Sequence, residues 1–374
     1  MARNNRHIGR TMAYPYEAPP PKRQSAIIFD PNKCIACQTC SVACKSAWTS
    51  GKGQEHIFYN NVETKPYGGY PIGWDLKLME RLGPAQWEGG RLASKTIFDG
   101  GDPLETVFGH APAMTDYASP NLGEDEVAGQ LEHGAHFAGA THPLWMFYLA
   151  RTCNHYDNPA CLASCPRKAI YKREEDGIVL IDQKRCRGYQ ECVRACPYKK
   201  TFFNAVSRVS EKCIGCYPRT EQGEVPLCVE SCIGKVRLHG FLSTDTPRED
   251  NPLDYIVRIR KLALPLYPQF GTGPNSYYIP PLSVPEKFLT QMFGPGVEEA
   301  RKTYRMIKDD KQLLGAMMLF GASTRIITTF KVEGDTAIGW DGAGKEVARV
   351  PFTEPVYVRD HRDERFAVYR HNTP

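Results

Sequence analysis

Residues 34–44 read CIACQTCSVAC and set four cysteines in a C-x2-C-x2-C-x3-C run. This spacing is typical of chains that hold iron–sulfur clusters, in which three thiolates hold one cluster and the fourth reaches a second. The short x2 loops wrap a cluster and direct backbone N–H groups at its sulfurs, and the x3 step begins a helix that carries the fourth thiolate away. The run therefore predicts two neighbouring clusters.

The other ten of the fourteen cysteines form three further groups. They are Cys153, Cys161 and Cys165, followed by a proline; Cys186, Cys192 and Cys196, also followed by a proline; and Cys213, Cys216, Cys228 and Cys232. Their order along the chain suggests a nested arrangement, in which the first group pairs with the fourth and the second with the third.

Disulfides and structural zinc are the competing interpretations of these cysteines. Disulfides form in oxidising compartments, and residues three apart on tight loops pair poorly. The last group alone, C-x2-C-x11-C-x3-C, would pass for a zinc site. Zinc does not explain four cysteines within residues 34–44 or the two Cys-Pro endings. We therefore favour iron–sulfur clusters.

Two groups lack a cysteine at the same slot, three residues after the leading cysteine. Tyr156 occupies the slot in the second group and Tyr189 in the third. A missing thiolate there indicates either a [3Fe–4S] cluster or an oxygen ligand. For the third group we predict [3Fe–4S]. For the second group we prefer Asp157 as the ligand, with Tyr156, or no fourth protein ligand, as the alternatives.

Composition is that of an ordinary globular protein, with 374 residues, 41% hydrophobic and 24% charged. The net charge of +5 would suit an anionic partner such as nucleic acid. We discount nucleic acid, because clusters with their thiolates are anionic and need basic residues nearby. Such residues flank the cysteines: Lys33, Lys45, Arg167, Lys168, Lys199, Lys200, Lys212 and Lys235.

Neither a membrane span nor a catalytic motif is evident. The longest apolar stretch, residues 313–322, falls short of the roughly 18 residues that a span needs. We find no phosphate-binding glycine loop, dinucleotide fingerprint or defensible catalytic triad, and so expect no catalytic residue in the chain.

Residues 1–10 lack a hydrophobic signal region and a twin-arginine pair. We expect a cytoplasmic location, or a periplasmic one reached by co-export with a twin-arginine-bearing partner.

We expect an α+β fold: a ferredoxin-like core of two pseudo-symmetric double-cluster modules, a large loop-rich insertion and a helical and hairpin C-terminal extension. The expected divisions are an N-terminal arm (1–24), a first cluster pair (25–44 with 205–245), an insertion (45–152), a second cluster pair (153–204) and an extension for subunit contact (246–374). A hairpin is predicted at residues 169–181, with its turn at Asp176-Gly177. Short strands are predicted at 26–29, 201–204 and 235–238. Helices are predicted at 254–262 and 297–319, and hairpins from residue 324 onward.

Several stretches closely resemble the iron–sulfur beta subunits of type II dimethylsulfoxide-reductase-family molybdoenzymes. That group includes nitrate, selenate and chlorate reductases, nitrite oxidoreductase, dimethylsulfide dehydrogenase and ethylbenzene dehydrogenase. The resemblance covers roughly residues 20–300, and its last stretch resembles nitrite oxidoreductase and ethylbenzene dehydrogenase more than classical nitrate reductase. The stretches are 34–48 (CIACQTCSVACKSAW), 60–66 (NNVETKP), 158–182 (NPACLASCPRKAIYKREEDGIVLID), 186–200 (CRGYQECVRACPYKK) and 251–281 (NPLDYIVRIRKLALPLYPQFGTGPNSYYIPP).

The resemblance implies a ligand set for each of four clusters. One [4Fe–4S] cluster would take Cys34, Cys37, Cys40 and Cys232, and a second would take Cys44, Cys213, Cys216 and Cys228. A third would take Cys153, Cys161 and Cys196, with its fourth position open at Tyr156 or Asp157. A [3Fe–4S] cluster would take Cys165, Cys186 and Cys192, with Tyr189 at the vacant slot.

The same resemblance implies partners and a role. The partners would be a molybdenum bis-pterin catalytic alpha subunit and a haem b gamma subunit or other carrier, with single electrons passing between them. Tyr156 departs from the family, which has a cysteine there. Cys44 departs from some nitrite oxidoreductases, which have an aspartate. A free-standing polyferredoxin shuttle is the alternative function, and a zinc-stabilised scaffold is a weaker one.

Overall fold

A computed structural model describes residues 2–16, 20–66, 68–99, 110–117 and 145–352, together with the backbone of 360–363 and 368–371. Its strands, in chain order, are β1 (Ala2–Asn5), β2 (Arg10–Ala13), β3 (Gln24–Phe29), β4 (Asn61–Lys65), β5 (Trp87–Glu88), β6 (Arg91–Leu92), β7 (Phe147–Arg151), β8 (Ile170–Lys172), β9 (Val179–Ile181), β10 (Thr201–Asn204), β11 (Val209–Lys212), β12 (Arg237–Leu242), β13 (Leu264–Pro265), β14 (Ser276–Tyr278), β15 (Thr329–Glu333), β16 (Thr336–Trp340), β17 (Glu346–Pro351), β18 (Asp360–Asp363) and β19 (Val368–His371).

The helices are short. The α-helices are Thr39–Trp48, Trp74–Leu82, Ala160–Ala163, Glu191–Ala195, Tyr217–Thr220, Leu227–Glu230, Pro252–Asp254, Glu286–Phe293, Val297–Arg305 and Lys311–Met318. Tighter 3-10 turns occur at Pro31–Lys33, Met114–Tyr117, Pro268–Phe270 and Ile307–Asp309, and a wider π-turn at Tyr255–Ile259. Among the described residues, no helix is both long and apolar enough to cross a membrane.

A four-stranded sheet in the order β12-β3-β14-β13 divides the interior into two cores. Successive strand residues point to opposite faces, so Ile27 and Phe29 enter one core and Ala26 and Ile28 enter the other. Every residue of β3 is buried, because both faces of the sheet are covered. The first core holds cysteines Cys40, Cys196 and Cys228, and the second is filled by the C-terminal helices and by β15–β17.

Strand pairs outside this sheet match several sequence predictions. β8 and β9 pair antiparallel, which confirms the hairpin at the Asp-Gly turn. The predicted strands at 26–29 and 201–204 are present, and the one predicted at 235–238 begins at Arg237. The predicted C-terminal hairpins form a three-stranded antiparallel sheet of β15, β16 and β17.

The insertion and the tail differ from expectation in detail. The insertion is more than loops: it contains helix Trp74–Leu82 and strand β4, which pairs antiparallel with β7. Residues 67, 100–109 and 118–144 of the insertion lie outside the described part of the chain. The single helix predicted at 297–319 is two helices, because Asp310 has an extended backbone and caps the second helix by accepting a hydrogen bond from Leu313 N.

A buried ion network joins the insertion to the first core. Arg151 Nε donates to Glu63 Oε1 at 2.7 Å, and Lys65 Nζ lies 2.6 Å from Asp75 Oδ2. Arg151 also donates to the backbone oxygen of Tyr198, two residues after Cys196. Burial alone would raise the pKa of Glu63, but Arg151 and Lys65 lower it to about 2. Buried charges persist when they are paired in this way, so the network fixes β4 and β7 against the cysteine-bearing loops.

Candidate iron–sulfur sites

Two helix pairs bring the four cysteine groups together. Helix Thr39–Trp48, from the first group, packs against Leu227–Glu230, from the fourth. Helix Ala160–Ala163, from the second group, packs against Glu191–Ala195, from the third. Nested pairing of the groups is therefore present in the described fold.

The first cavity is lined by Cys34, Cys37, Cys40 and Cys232. Arg237 closes it from the sheet side. Its side chain is fully buried, and Nη2 donates to Cys40 Sγ at 2.7 Å. The guanidinium also lies over the ring of Phe29, its cross-strand neighbour, at 4.6 Å. A cation held this close to a group of thiolates stabilises negative charge in the cavity.

The second cavity is lined by Cys44, Cys213, Cys216 and Cys228, and Cys153 also lines it. Burial raises the pKa of the Cys44 thiol well above its usual value, and the neighbouring Cys228, Cys213 and Cys216 raise it further. Cys40 and Cys44 lie one turn apart on the same helix, about 6 Å between Cβ atoms. One helix therefore serves both cavities.

The remaining cysteines gather around the second helix pair. Burial raises the pKa of Cys161 well above its usual value; Lys212 opposes this shift, and Cys196 and Cys153 add to it. Burial likewise raises the pKa of Cys192 to about 12, with Ser210 opposing and Cys165 and Cys186 adding. Cys192 also raises the pKa of Cys161, and Cys196 also raises the pKa of Cys192, so these cysteines form two adjoining sets. One comprises Cys153, Cys161 and Cys196, and the other Cys165, Cys186 and Cys192.

The backbone of the four groups follows one pattern. The residue two positions after each leading cysteine has a left-handed conformation: Ala36 (φ 53°), His155 (φ 41°), Gly188 (φ 69°) and Gly215 (φ 63°). Such a turn directs successive N–H groups to the inside of a loop, where they favour an anion. In the third and fourth loops a larger residue than glycine would also clash with its neighbours. A Cβ on Gly188 would lie 2.6 Å from Arg208 O, and a Cβ on Gly215 would lie 2.8 Å from Ile178 Cδ1.

A second repeat follows the last cysteine of three groups. Lys168, Lys199 and Lys235 all have φ of 48–49°. Each donates its backbone N–H to the carbonyl of the cysteine three residues earlier, at 3.1 Å. The next residue donates to that cysteine's sulfur in two groups: Ala169 N to Cys165 Sγ and Lys200 N to Cys196 Sγ, both at 3.3 Å. These donors suit sulfurs that carry negative charge.

Tyr156 is fully buried beside the cysteines. Its hydroxyl lies 3.4 Å from Cys196 Sγ, and its ring stacks on Tyr198 with centroids 5.3 Å apart. The equivalent residue in the third group, Tyr189, is 60% exposed and stands at the surface beside Cys186 and Cys192.

Asp157 lies elsewhere, and the preference for it as a ligand does not match this geometry. Its carboxylate accepts from Asn275 Nδ2 at 3.0 Å and lies 3.6 Å from Lys172 Nζ and 3.7 Å from Arg6 Nη2. Burial alone would raise the pKa of Asp157, but Lys172 and Arg6 lower it to about 2. The adjacent side chains of Tyr156 and Asp157 therefore have different surroundings, the first beside Cys196 and the second beside these cations.

Among the described residues, no three His, Cys, Asp or Glu side chains lie close enough together to hold a single metal ion. Cysteines line two cavities, one with four cysteines and one with five. The donor set of thiols, inward N–H groups and a buried arginine fits iron–sulfur clusters. Arg237 and the Glu63–Arg151 pair were missed from sequence, because nothing in their spacing distinguishes them from surface charges.

The fold and the four cysteine groups define an iron–sulfur protein of ferredoxin-like type. Residues 144–241 match the family described as the 4Fe-4S dicluster domain. The selenate reductase subunit beta of Thauera selenatis is 42% identical, covering 75% of this chain and 90% of that protein. The dimethylsulfide dehydrogenase subunit beta of Rhodovulum sulfidophilum is 40% identical, covering 78% and 92%. The respiratory nitrate reductase 1 beta chain of Escherichia coli is 33% identical, covering 70% of each.

The chain belongs to the family of beta subunits of the type II dimethylsulfoxide-reductase-family enzymes, as its cysteine pattern predicts.

Proposed function

We propose that this chain is the electron-transfer subunit of a molybdenum oxidoreductase complex. It would relay single electrons through four iron–sulfur clusters, between a molybdenum bis-pterin catalytic subunit and a haem b subunit or other carrier. When bound, the clusters supply one-electron redox chemistry; the chain holds and insulates them and makes or breaks no substrate bond.

One observation carries this proposal: Cys153 lines the same cavity as Cys44, Cys213, Cys216 and Cys228. The third site therefore adjoins the second. The first and second sites share helix Thr39–Trp48, and the third and fourth share the helix pair at residues 160–163 and 191–195. The four sites form one continuous row, which is the arrangement that stepwise electron transfer requires.

The lining of the first two cavities and the family resemblance support the following ligand sets. Two [4Fe–4S] clusters take Cys34, Cys37, Cys40 and Cys232, and Cys44, Cys213, Cys216 and Cys228. The third cluster takes Cys153, Cys161 and Cys196, and the fourth takes Cys165, Cys186 and Cys192 as [3Fe–4S]. We favour [3Fe–4S] for the third cluster as well, because Tyr156 occupies the slot of a fourth thiolate and its hydroxyl lies 3.4 Å from Cys196 Sγ.

The two ends of the row support a subunit role over a free shuttle. Exposed apolar side chains Ile35, Val42 and Ile233 surround the first site, where Cys37 is also exposed. An apolar patch around a redox site is typical of a surface that a partner covers. The insertion, whose Arg151 donates to the backbone oxygen of Tyr198 in the core, is also more than a shuttle would need.

Native anaerobic purification, with analysis of iron, molybdenum and zinc in whatever co-purifies, tests this function. We expect a large molybdenum-containing partner and about 14 irons on this chain. A brown chain without molybdenum or a partner would favour the shuttle. A colourless chain with zinc would contradict the proposal.

A further inference from the structure

Basic side chains surround the fourth site, at one end of the row. Around Cys165, Cys186 and Cys192 stand seven exposed basic residues: Arg167, Lys168, Lys184, Arg185, Arg187, Arg194 and Arg208. Tyr189, 60% exposed, stands among them. Only Asp182 and Glu191 add negative charge on these loops, and among the described residues an acidic partner is found only for Arg185, paired with Asp182 at 3.5 Å. We call these seven residues the basic rim.

Arg208 joins the rim through the fold rather than through the sequence. Arg208 lies in the turn between β10 and β11. A Cβ on Gly188 would lie 2.6 Å from Arg208 O, so the β10–β11 turn packs against the loop that carries Cys186. Ser210 N donates to Cys186 Sγ at 3.4 Å from the same turn. Arg187 is held over the loop by donating to Lys184 O at 2.7 Å and to Cys186 O at 3.0 Å. The rim is thus a surface formed by three separate stretches of chain.

Compensation of cluster charge does not explain the rim. The first site, at the other end of the row, would hold an equally anionic cluster. Its exposed surroundings nevertheless include the apolar residues Ile35, Val42 and Ile233, and the exposed basic residues within three positions of its cysteines are Lys33 and Lys235. Compensation there comes from the buried Arg237 instead. Exposed charges act mainly outward, on what approaches from solvent.

We propose that the basic rim is the docking surface for a one-electron carrier protein with an acidic surface, held by salt-sensitive and reversible contacts. This inference rests on the proposed function, and it names the chemistry of the partner that binds beside the fourth site. Five of the seven rim residues are arginines, whose planar guanidinium pairs with carboxylates through two parallel hydrogen bonds. An anionic lipid surface would satisfy the charges but would accept no electron from the cysteine-bound site that they surround.

The step at this surface moves one electron. The reduced chain loses it, and the oxidised docked carrier gains it. Opposite charges on the two surfaces raise the encounter rate by steering, and salt screens this effect.

The test uses the full chain with its clusters, reduced by dithionite and freed of excess reductant, and the acidic soluble domain of cytochrome b5 as the probe. Haem reduction is followed by stopped-flow absorbance at increasing ionic strength. We expect the rate to fall severalfold between low and physiological salt. Lys184→Glu and Arg194→Glu should each lower the low-salt rate severalfold, and a basic c-type cytochrome should show no such loss.

Lys308→Glu is the matched control, because it makes the same charge change as Lys184→Glu at an exposed residue of the C-terminal part. It should react as the unaltered chain does. An equal loss of rate in Lys184→Glu and Lys308→Glu would overturn the proposal. Rates that change neither with salt nor in the two rim variants would also overturn it. Loss of binding to vesicles of phosphatidylglycerol in the rim variants, with unchanged cytochrome rates, would assign the rim to lipid instead. A chain without visible cluster absorbance would defeat the proposed function before this test begins.

Discussion

Tyr156 and Asp157 are adjacent in sequence but have opposite surroundings. The tyrosine hydroxyl meets Cys196 Sγ, whereas the aspartate meets Lys172 and Arg6. The cysteine spacing identified an irregular slot but did not decide which side chain lies beside the cysteines. That choice depends on the local backbone, where the preceding residue His155 has a left-handed conformation.

Substitution at these two positions should separate their roles. Asp157→Ala should leave every cluster signal in electron paramagnetic resonance unchanged, because its carboxylate pairs with cations. Tyr156→Cys should supply the missing thiolate and convert the third cluster from [3Fe–4S] to [4Fe–4S], adding about one iron per chain. A changed cluster signal in Asp157→Ala would restore the aspartate as a ligand.

Arg237 should control the potentials of the first two clusters. A buried cation favours the reduced, more negative cluster, so removing it should lower the midpoint potential. We expect Arg237→Gln to lower the potentials of the first and second clusters in a redox titration, while Arg237→Lys lowers them less. Arg248→Gln, which removes an exposed charge paired with Asp250, is the control. Equal shifts in all four clusters would show a general charge effect instead.

At the scale of elements, the sequence predicted the pieces that carry a local signal. The Asp-Gly turn gave the β8–β9 hairpin, and the cysteine runs gave the paired loops. The insertion was misjudged because its elements depend on distant partners: β4 pairs with β7 more than eighty residues away, with Asn61 opposite Arg151. Helix Trp74–Leu82 lies between flanking glycines and has only nine residues, too short to show a firm period.

The Glu63–Arg151 pair should make this insertion essential to stability. Glu63→Gln leaves Arg151 and Lys65 buried without their shared carboxylate, and should cost about 3–5 kcal/mol. Urea unfolding followed by loss of visible absorbance measures this cost. Glu88→Gln, at an exposed position of β5, is the control and should change stability little.

The cost of Glu63→Gln should also depend on pH. The folded pKa of Glu63, about 2, lies below the unfolded value of about 4.3, so its stabilisation is complete above pH 4.3. The difference between the unaltered chain and Glu63→Gln should stay constant down to about pH 5 and shrink below 4.3. A difference that grew on acidification would contradict the ion-pair role.

At the scale of the whole molecule, the row of sites has two unlike ends. The first end is apolar, with Ile35, Val42 and Ile233, and suits a lasting contact. The fourth end is basic and suits an exchanging one. The net charge of +5 over 374 residues does not show this asymmetry. The basic residues of the rim lie on separate loops of the sequence, and only the fold brings these loops together.

The most direct test of the central claim, four clusters in one row, is quantitative electron paramagnetic resonance of the anaerobically purified chain through a full redox titration. We predict four separately titrating signals, two of [3Fe–4S] type in the oxidised protein and two of [4Fe–4S] type on reduction. Neighbouring clusters should broaden each other through spin interaction as both become paramagnetic. Fewer than four signals, or four signals with no interaction between them, would contradict a continuous row.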